Sequence, residues 1–201
     1  MKLFKNIKKW LENQEHLFYL FLLILIVPNI ILCFTEPMPV VAKVCNVLLP
    51  FAFYYLLMTL SRNCGKMFWI LFLFIFFGAF QIVLLYLFGQ SIIAVDMFLN
   101  LVTTNSSEAM ELLDNLVPAL VSVIILYIPA LILAVISIIK KRKLSPEFIR
   151  RERKKAWIAL FIGFISLGAA YGLDKRYELK SDLYPANVCY NVALAFQRNA
   201  Q

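Results

Sequence analysis

Five long apolar runs set what this chain can fold into: Leu17–Phe34, Val40–Leu60, Met67–Gly89, Leu116–Ile139 and Ala156–Leu173. A helix rises about 1.5 Å per residue, so roughly 20 residues cross the hydrocarbon of a bilayer, and each run is near that length. A water-soluble domain of 201 residues could not hide 62% hydrophobic residues and 18 phenylalanines in one core. The expected solvent is therefore lipid. With no water to satisfy backbone N–H and C=O groups there, the runs predict helices, and the fold class is an all-α bundle of five transmembrane helices. Pro28, Pro50, Pro118 and Pro129 lie inside or at the edges of the runs and predict local kinks rather than breaks.

Charge is segregated between the loops. Lys2, Lys5, Lys8 and Lys9 precede the first run, Arg62 and Lys66 join the second to the third, and nine Lys and Arg between Lys140 and Lys155 join the fourth to the fifth. The loops Thr35–Pro39 and Gln90–Asn115 have no Lys or Arg and carry Glu36, Asp96, Glu108, Glu111 and Asp114. Positive residues collect on the cytoplasmic side, so the N-terminus is expected inside and the C-terminus outside. This accounts for the net charge of +8 without a nucleic-acid partner. Ser145-Pro146-Glu147 has a capping Ser and a Pro at the first helical position, which predicts a basic helix leading straight into the fifth span. The first run is longer than a signal-peptide core and no small-x-small site follows Phe34, which indicates an uncleaved anchor. Ahead of it, residues 1–16 read as an interfacial helix with Leu3, Phe4, Ile7, Trp10 and Leu11 opposite Lys2, Lys5, Lys9 and Glu12.

Reactive chemistry is sparse. Cys33, Cys45, Cys64 and Cys189 show no paired spacing and no neighbouring His, so neither a metal site nor a disulfide framework is indicated, and only Cys33 and Cys45 could approach each other. His16, the one histidine, falls at the edge of the first span. No nucleophile with a base, P-loop or dinucleotide fingerprint occurs, so no residue is assigned as catalytic. Within the spans, Asn29, Lys43, Asn46 and Gln81 are costly in lipid and should face a cavity or a partner. Lys43 is near the outer end of its span; it either snorkels to the headgroups or helps hold a lipid phosphate. Residues 174–201 read as an amphipathic tail. In it, Val188, Val192, Ala195 and Phe196 oppose Asn187, Asn191 and Arg198, which suits a helix on the outer leaflet or a soluble linker helix.

One long polar stretch, Asp96–Asp114, has no Lys or Arg. A helical excursion from about Ile92 to Asn115 is expected there. Asn100, Thr104 and Glu108 recur every four residues, so on a helix they form one stripe with about 40° of drift per step. Such a stripe beside the membrane can grip a headgroup. Asn105 followed by Glu108 also fits a helix cap with a reciprocal carboxylate, which would explain both residues without a ligand.

The segment from Asp96 to Ala109, Asp-Met-Phe-Leu-Asn-Leu-Val-Thr-Thr-Asn-Ser-Ser-Glu-Ala, follows the third of five spans and resembles the membrane domain of bacterial phosphoethanolamine transferases. These enzymes modify lipid A or core sugars of lipopolysaccharide and confer polymyxin resistance. Tyr184-Pro185-Ala186-Asn187-Val188-Cys189-Tyr190-Asn191 looks like the stretch by which that family returns to the membrane surface. The resemblance covers nearly the whole chain in topology, but only these two segments in specific residues. It implies a bacterial inner-membrane location with a periplasmic C-terminus, and that Asn100, Thr104 and Glu108 line a site for phosphatidylethanolamine. An amide and a hydroxyl can donate to phosphate oxygens, and a carboxylate can pair with the ethanolamine ammonium. It also implies a partner: an alkaline-phosphatase-like periplasmic domain with a zinc-bound Thr nucleophile, expected after Gln201. Zinc belongs to that domain; within this chain Thr103 and Thr104 have no Asp, Glu and His cluster to activate them. Two other readings stay open from sequence, a small transporter or lipid flippase and a non-catalytic anchoring protein.

Overall fold

The structure, a computed structural model, describes residues 2–88 and 106–199. Among these there are nine helices and no strand: α1 (Lys2–Glu12), α2 (Gln14–Thr35), α3 (Val40–Met58), α4 (Cys64–Ile70), α5 (Phe72–Phe88), α6 (Ser106–Ile139), α7 (Pro146–Leu173), α8 (Leu179–Asp182) and α9 (Ala186–Asn199). Side-chain caps start several of them where the sequence has Asn or Ser. Asn13 accepts from Glu15 N–H ahead of α2 and Asn63 from Lys66 N–H ahead of α4. Ser145 accepts from Phe148 N–H at 3.1 Å, with Pro146 in the first turn, so α7 begins as its sequence predicts and continues unbroken through the apolar run.

Four helices, α2, α3, α6 and α7, are long and apolar enough to cross a membrane. The bent pair α4 and α5 makes a fifth if it counts as one span. Pro28, Pro50, Pro118 and Pro129 all sit within continuous helices. The 61° bend lies instead between α4 and α5, at Leu71, with no proline. Phe74 N–H turns back to Leu71 O at 3.0 Å, an i to i−3 bond that tightens the backbone there. A second departure concerns α6, which is one 34-residue helix. The expected excursion ending at Asn115 and the span starting at Leu116 are continuous from Ser106 onward.

The bundle is built around α2. Of its apolar window 56% is buried, against 17% for α7. Phe18, Phe21, Leu22 and Leu25 of α2 pack with Tyr54, Tyr55 and Met58 of α3, Phe68 and Ile75 of α4 and α5, and Tyr127 and Ala134 of α6. At Gly65 the α4 and α6 backbones nearly touch, since a Cβ there would lie 3.0 Å from Ala134 Cα. The outer surface is apolar too. Ile125, Ile132, Trp157, Phe161 and Phe164 are all more than half exposed. So large an uncovered apolar surface fits a multi-pass membrane protein in which lipid completes the packing.

The antiparallel connections put the basic loops at one end, where Leu144 N–H donates to Arg62 O at 2.7 Å. There α3 and α7 meet around Glu152, whose side chain is fully buried. It accepts from the Tyr55 hydroxyl, from Arg151 Nε at 2.8 Å and from Lys155 Nζ at 3.0 Å. Glu152 precedes the apolar stretch of α7 that starts at Ala156. Burial pushes its carboxyl up, but hydrogen bonds from Tyr55, Arg151, Tyr19 and Lys155 outweigh it and hold it down, to about 2. A carboxylate depressed in the folded state stabilises it above the unfolded value of about 4.3 and loses that contribution as pH falls toward the folded value. Glu152→Gln is expected to cost about 1–3 kcal/mol at neutral pH by leaving buried donors poorly matched. In thermal unfolding of the detergent-purified protein, the gap between wild type and variant should close as pH falls below about 4.3; a gap that stays constant with pH would contradict this account.

Candidate functional site

The end of the bundle opposite the basic loops is where the polar residues of the spans find their partners, and the partner is the C-terminal segment. Asn29 of α2 is fully buried and its Nδ2 donates to Asn46 O at 2.9 Å and to Tyr184 O at 2.8 Å. Asn46 of α3 donates to Asp182 O at 2.8 Å and accepts from the Tyr177 hydroxyl at 3.0 Å. Two amides that lipid could not satisfy thus hold a stretch of chain more than 130 residues away in sequence.

Tyr184 drives that stretch into the core. It is buried, and its hydroxyl donates to Phe74 O on α5 at 2.7 Å. Space for it exists because residue 78 is glycine. A Cβ at Gly78 would come within 2.9 Å of the Tyr184 hydroxyl, 3.0 Å of Pro28 Cγ and 3.1 Å of the Tyr127 hydroxyl. Leu32, Tyr184 and Val188 form a small core of their own, flanked by Phe77, Phe80 and Val192. Tyr177 and Leu183 join Ala42, Cys45 and Ala170 in another. This corrects the expectation that the Val188 face of the tail rests on the leaflet. Val188 is buried in protein rather than turned to lipid, and Asn187, expected on the solvated side, has no exposed surface. Phe196, 74% exposed, keeps the predicted outward apolar character.

Polar capacity is left over at this end. Both side-chain polar atoms of Gln81 and of Asn187, and Oδ1 of Asn29, are buried without a hydrogen-bond partner. Lys43, half-buried, lines an apolar crevice of about 410 Å³ with Cys33, Val40, Val44, Val47 and Phe51. Its backbone carbonyl accepts from the Cys33 thiol at 3.3 Å. Cys33 and Cys45 are not bonded to each other; Cys45 lies 3.7 Å from the Tyr177 hydroxyl.

Of the polar stripe, Asn100 and Thr104 lie outside the described residues. Glu108 is described in its backbone, in the first turn of α6, which starts one residue after Asn105. Among the described residues no group of three or more His, Cys, Asp or Glu could hold a metal ion. What the sequence missed at this end is the tyrosine set, Tyr127, Tyr177 and Tyr184. The available signal was the pair of intramembrane asparagines, which demanded partners without saying where in the chain they were.

No protein-family model, curated protein or solved structure matches this chain. If Asn29 and Asn46 hold the tail, the double variant Asn29→Leu, Asn46→Leu should release it. Trypsin should then cut at Lys175, Arg176 or Lys180 at least several-fold faster in the detergent-solubilised variant, while cleavage between Arg150 and Lys155 keeps its rate. Equal protection of the tail in both proteins would show that the apolar contacts of Tyr184 and Val188 suffice.

Proposed function

We propose that this chain is a phospholipid-binding membrane domain of the phosphoethanolamine transferase kind, holding phosphatidylethanolamine at its periplasmic end for transfer of phosphoethanolamine to lipid A or core sugars. The basic end is cytoplasmic, by the positive-inside rule, and the tail end is periplasmic. Transfer itself would need the alkaline-phosphatase-like domain that the resemblance implies, on this or another polypeptide.

The observation that carries the reading is the length of α6. At about 1.5 Å per residue its 34 residues reach about 51 Å, beyond the roughly 30 Å of hydrocarbon. The apolar run of α6 begins at Leu116, so residues 106–115, with Glu108, Glu111 and Asp114 among them, precede it. A carboxylate at the first turn of a helix is stabilised by the helix dipole and by free backbone N–H groups. At the lipid boundary it is also available to an ammonium headgroup. Asn100 and Thr104 would supply donors to the phosphate, and Lys43, beside an apolar crevice, a cation near the acyl chains. The docking of the Tyr184-Pro185-Ala186-Asn187 segment onto the bundle suits a return of the chain to the membrane surface.

Glu108→Ala, in a protein carrying the catalytic domain, should abolish phosphoethanolamine addition to lipid A while the amount of protein in the membrane stays at the wild-type level. Glu108→Gln should also fail, since an amide cannot neutralise an ammonium. Full transfer by both variants would take Glu108 out of the site and leave the helix cap as its role.

A further inference from the structure

The basic end carries a second feature, unrelated to the donor-lipid reading. Between α1 and the last turns of α6 runs an apolar groove of about 360 Å³, lined by Ile7, Leu11, Leu133 and Ile136, with Glu12, Lys140 and Arg142 at its rim. That volume falls in the range of small-ligand sites. Its walls are fixed by hydrogen bonds. Ser137 Oγ donates to Gln14 Oε1 at 2.6 Å, tying α6 to the start of α2 and so to α1. Asn63 Nδ2 donates to Ser137 O at 3.2 Å and to Arg142 O at 2.9 Å. Lys141, with φ of 50°, takes the left-handed turn that folds Arg142 back toward α1.

Charge decides what would enter. Three arginines of this end donate to neutral carbonyls: Arg142 Nη1 to Glu12 O at 3.3 Å, Arg62 Nε to Leu144 O at 2.9 Å, Arg153 Nη2 to Thr59 O at 2.6 Å. A carbonyl satisfies a donor without cancelling its charge. Among the described residues, the ion pairs of this end involve only Arg151 and Lys155, both with Glu152. The groove rim therefore holds two cations against one carboxylate, beside a helix face whose Ile132 and Ile139 are more than half exposed. An occupant has to be apolar along its length and anionic at its head.

We propose that this groove is a binding slot for one anionic phospholipid of the adjacent leaflet, with an acyl chain between α1 and α6 and the phosphate on Lys140 and Arg142. Phosphatidylglycerol would satisfy both demands. Zwitterionic lipids bring an ammonium toward the same two cations and should be held more weakly. Each cation near an anionic headgroup contributes roughly a fivefold gain in binding.

The test uses the full chain in detergent, titrated with phosphatidylglycerol, phosphatidylethanolamine or phosphatidylcholine of equal acyl composition and read by native mass spectrometry. One phosphatidylglycerol should be retained per chain, several-fold above either zwitterionic lipid. Lys140→Ala with Arg142→Ala should reduce that retention by at least fivefold, and Arg142→Lys should keep most of it. Leu133→Trp, which fills the slot and leaves every charge in place, should also lower it. Arg150→Ala with Lys154→Ala, removing the same charge from the start of α7, should not. Equal retention of all three lipids, full retention by Leu133→Trp, or an equal loss in the α7 pair would each overturn the proposal. The last would reduce the effect to diffuse surface charge.

Discussion

A buried amide surrounded by hydrocarbon has to be satisfied by protein, because lipid offers neither donor nor acceptor. Asn29 and Asn46 impose that demand near one end of α2 and α3, and the structure meets it with the carbonyls of Asp182 and Tyr184 and the hydroxyl of Tyr177. The position of the tail follows. Once Tyr184 O is fixed on Asn29, the tyrosine ring points into the bundle, reaches Phe74 O, and needs the space left by Gly78. Val188, one turn on, then falls against Leu32. Apolar packing alone would be a weak locator here, since lipid covers an apolar tail as well as protein does.

The two ends apply this rule differently. At the basic end, satisfaction comes from side chains reaching backbone: Arg62, Arg153 and Arg142 each close on a carbonyl at or near the end of a neighbouring helix, and Asn63 closes on two. Cations at helix C-termini also suit the helix dipole. Glu152 is the exception, a buried acid that pulls in Arg151 and Lys155. Their charged heads stay more than half exposed, so the cluster remains in touch with water.

How much of this could be read in advance depended on the range of the interaction. The apolar runs and the start of α7 are local facts; the first two runs match α2 and α3 within a few residues, α6 and α7 continue about ten residues beyond theirs, and Ser145 caps as its type requires. The bend at Leu71 is not local. Its sequence, Trp69-Ile70-Leu71-Phe72, has no proline or glycine to announce it. The tail failed for a related reason. Its alternation of Val and Asn fits a surface helix, and nothing within residues 186–199 says that Asn187 would lose all exposure. For the candidate site, intramembrane Asn29 and Asn46 were legible as residues in need of partners, whereas Tyr177 and Tyr184 gain meaning from contacts 110 to 155 residues apart.

The distribution of unmet demand separates the two ends further. Among the described residues, six buried side-chain polar atoms have no partner; one, Gln14 Nε2, is at the basic end and five, on Asn29, Gln81 and Asn187, are at the tail end. An unsatisfied buried polar group costs about 1–3 kcal/mol, so the tail end holds its closed arrangement against a standing penalty. Any ligand that brought donors and acceptors to Gln81 and Asn187 would relieve the penalty on binding, whereas at the basic end polar partners have little left to satisfy and only charge to neutralise. Among the described residues, unmet hydrogen-bonding capacity therefore gathers at the tail end, and net positive charge at the other.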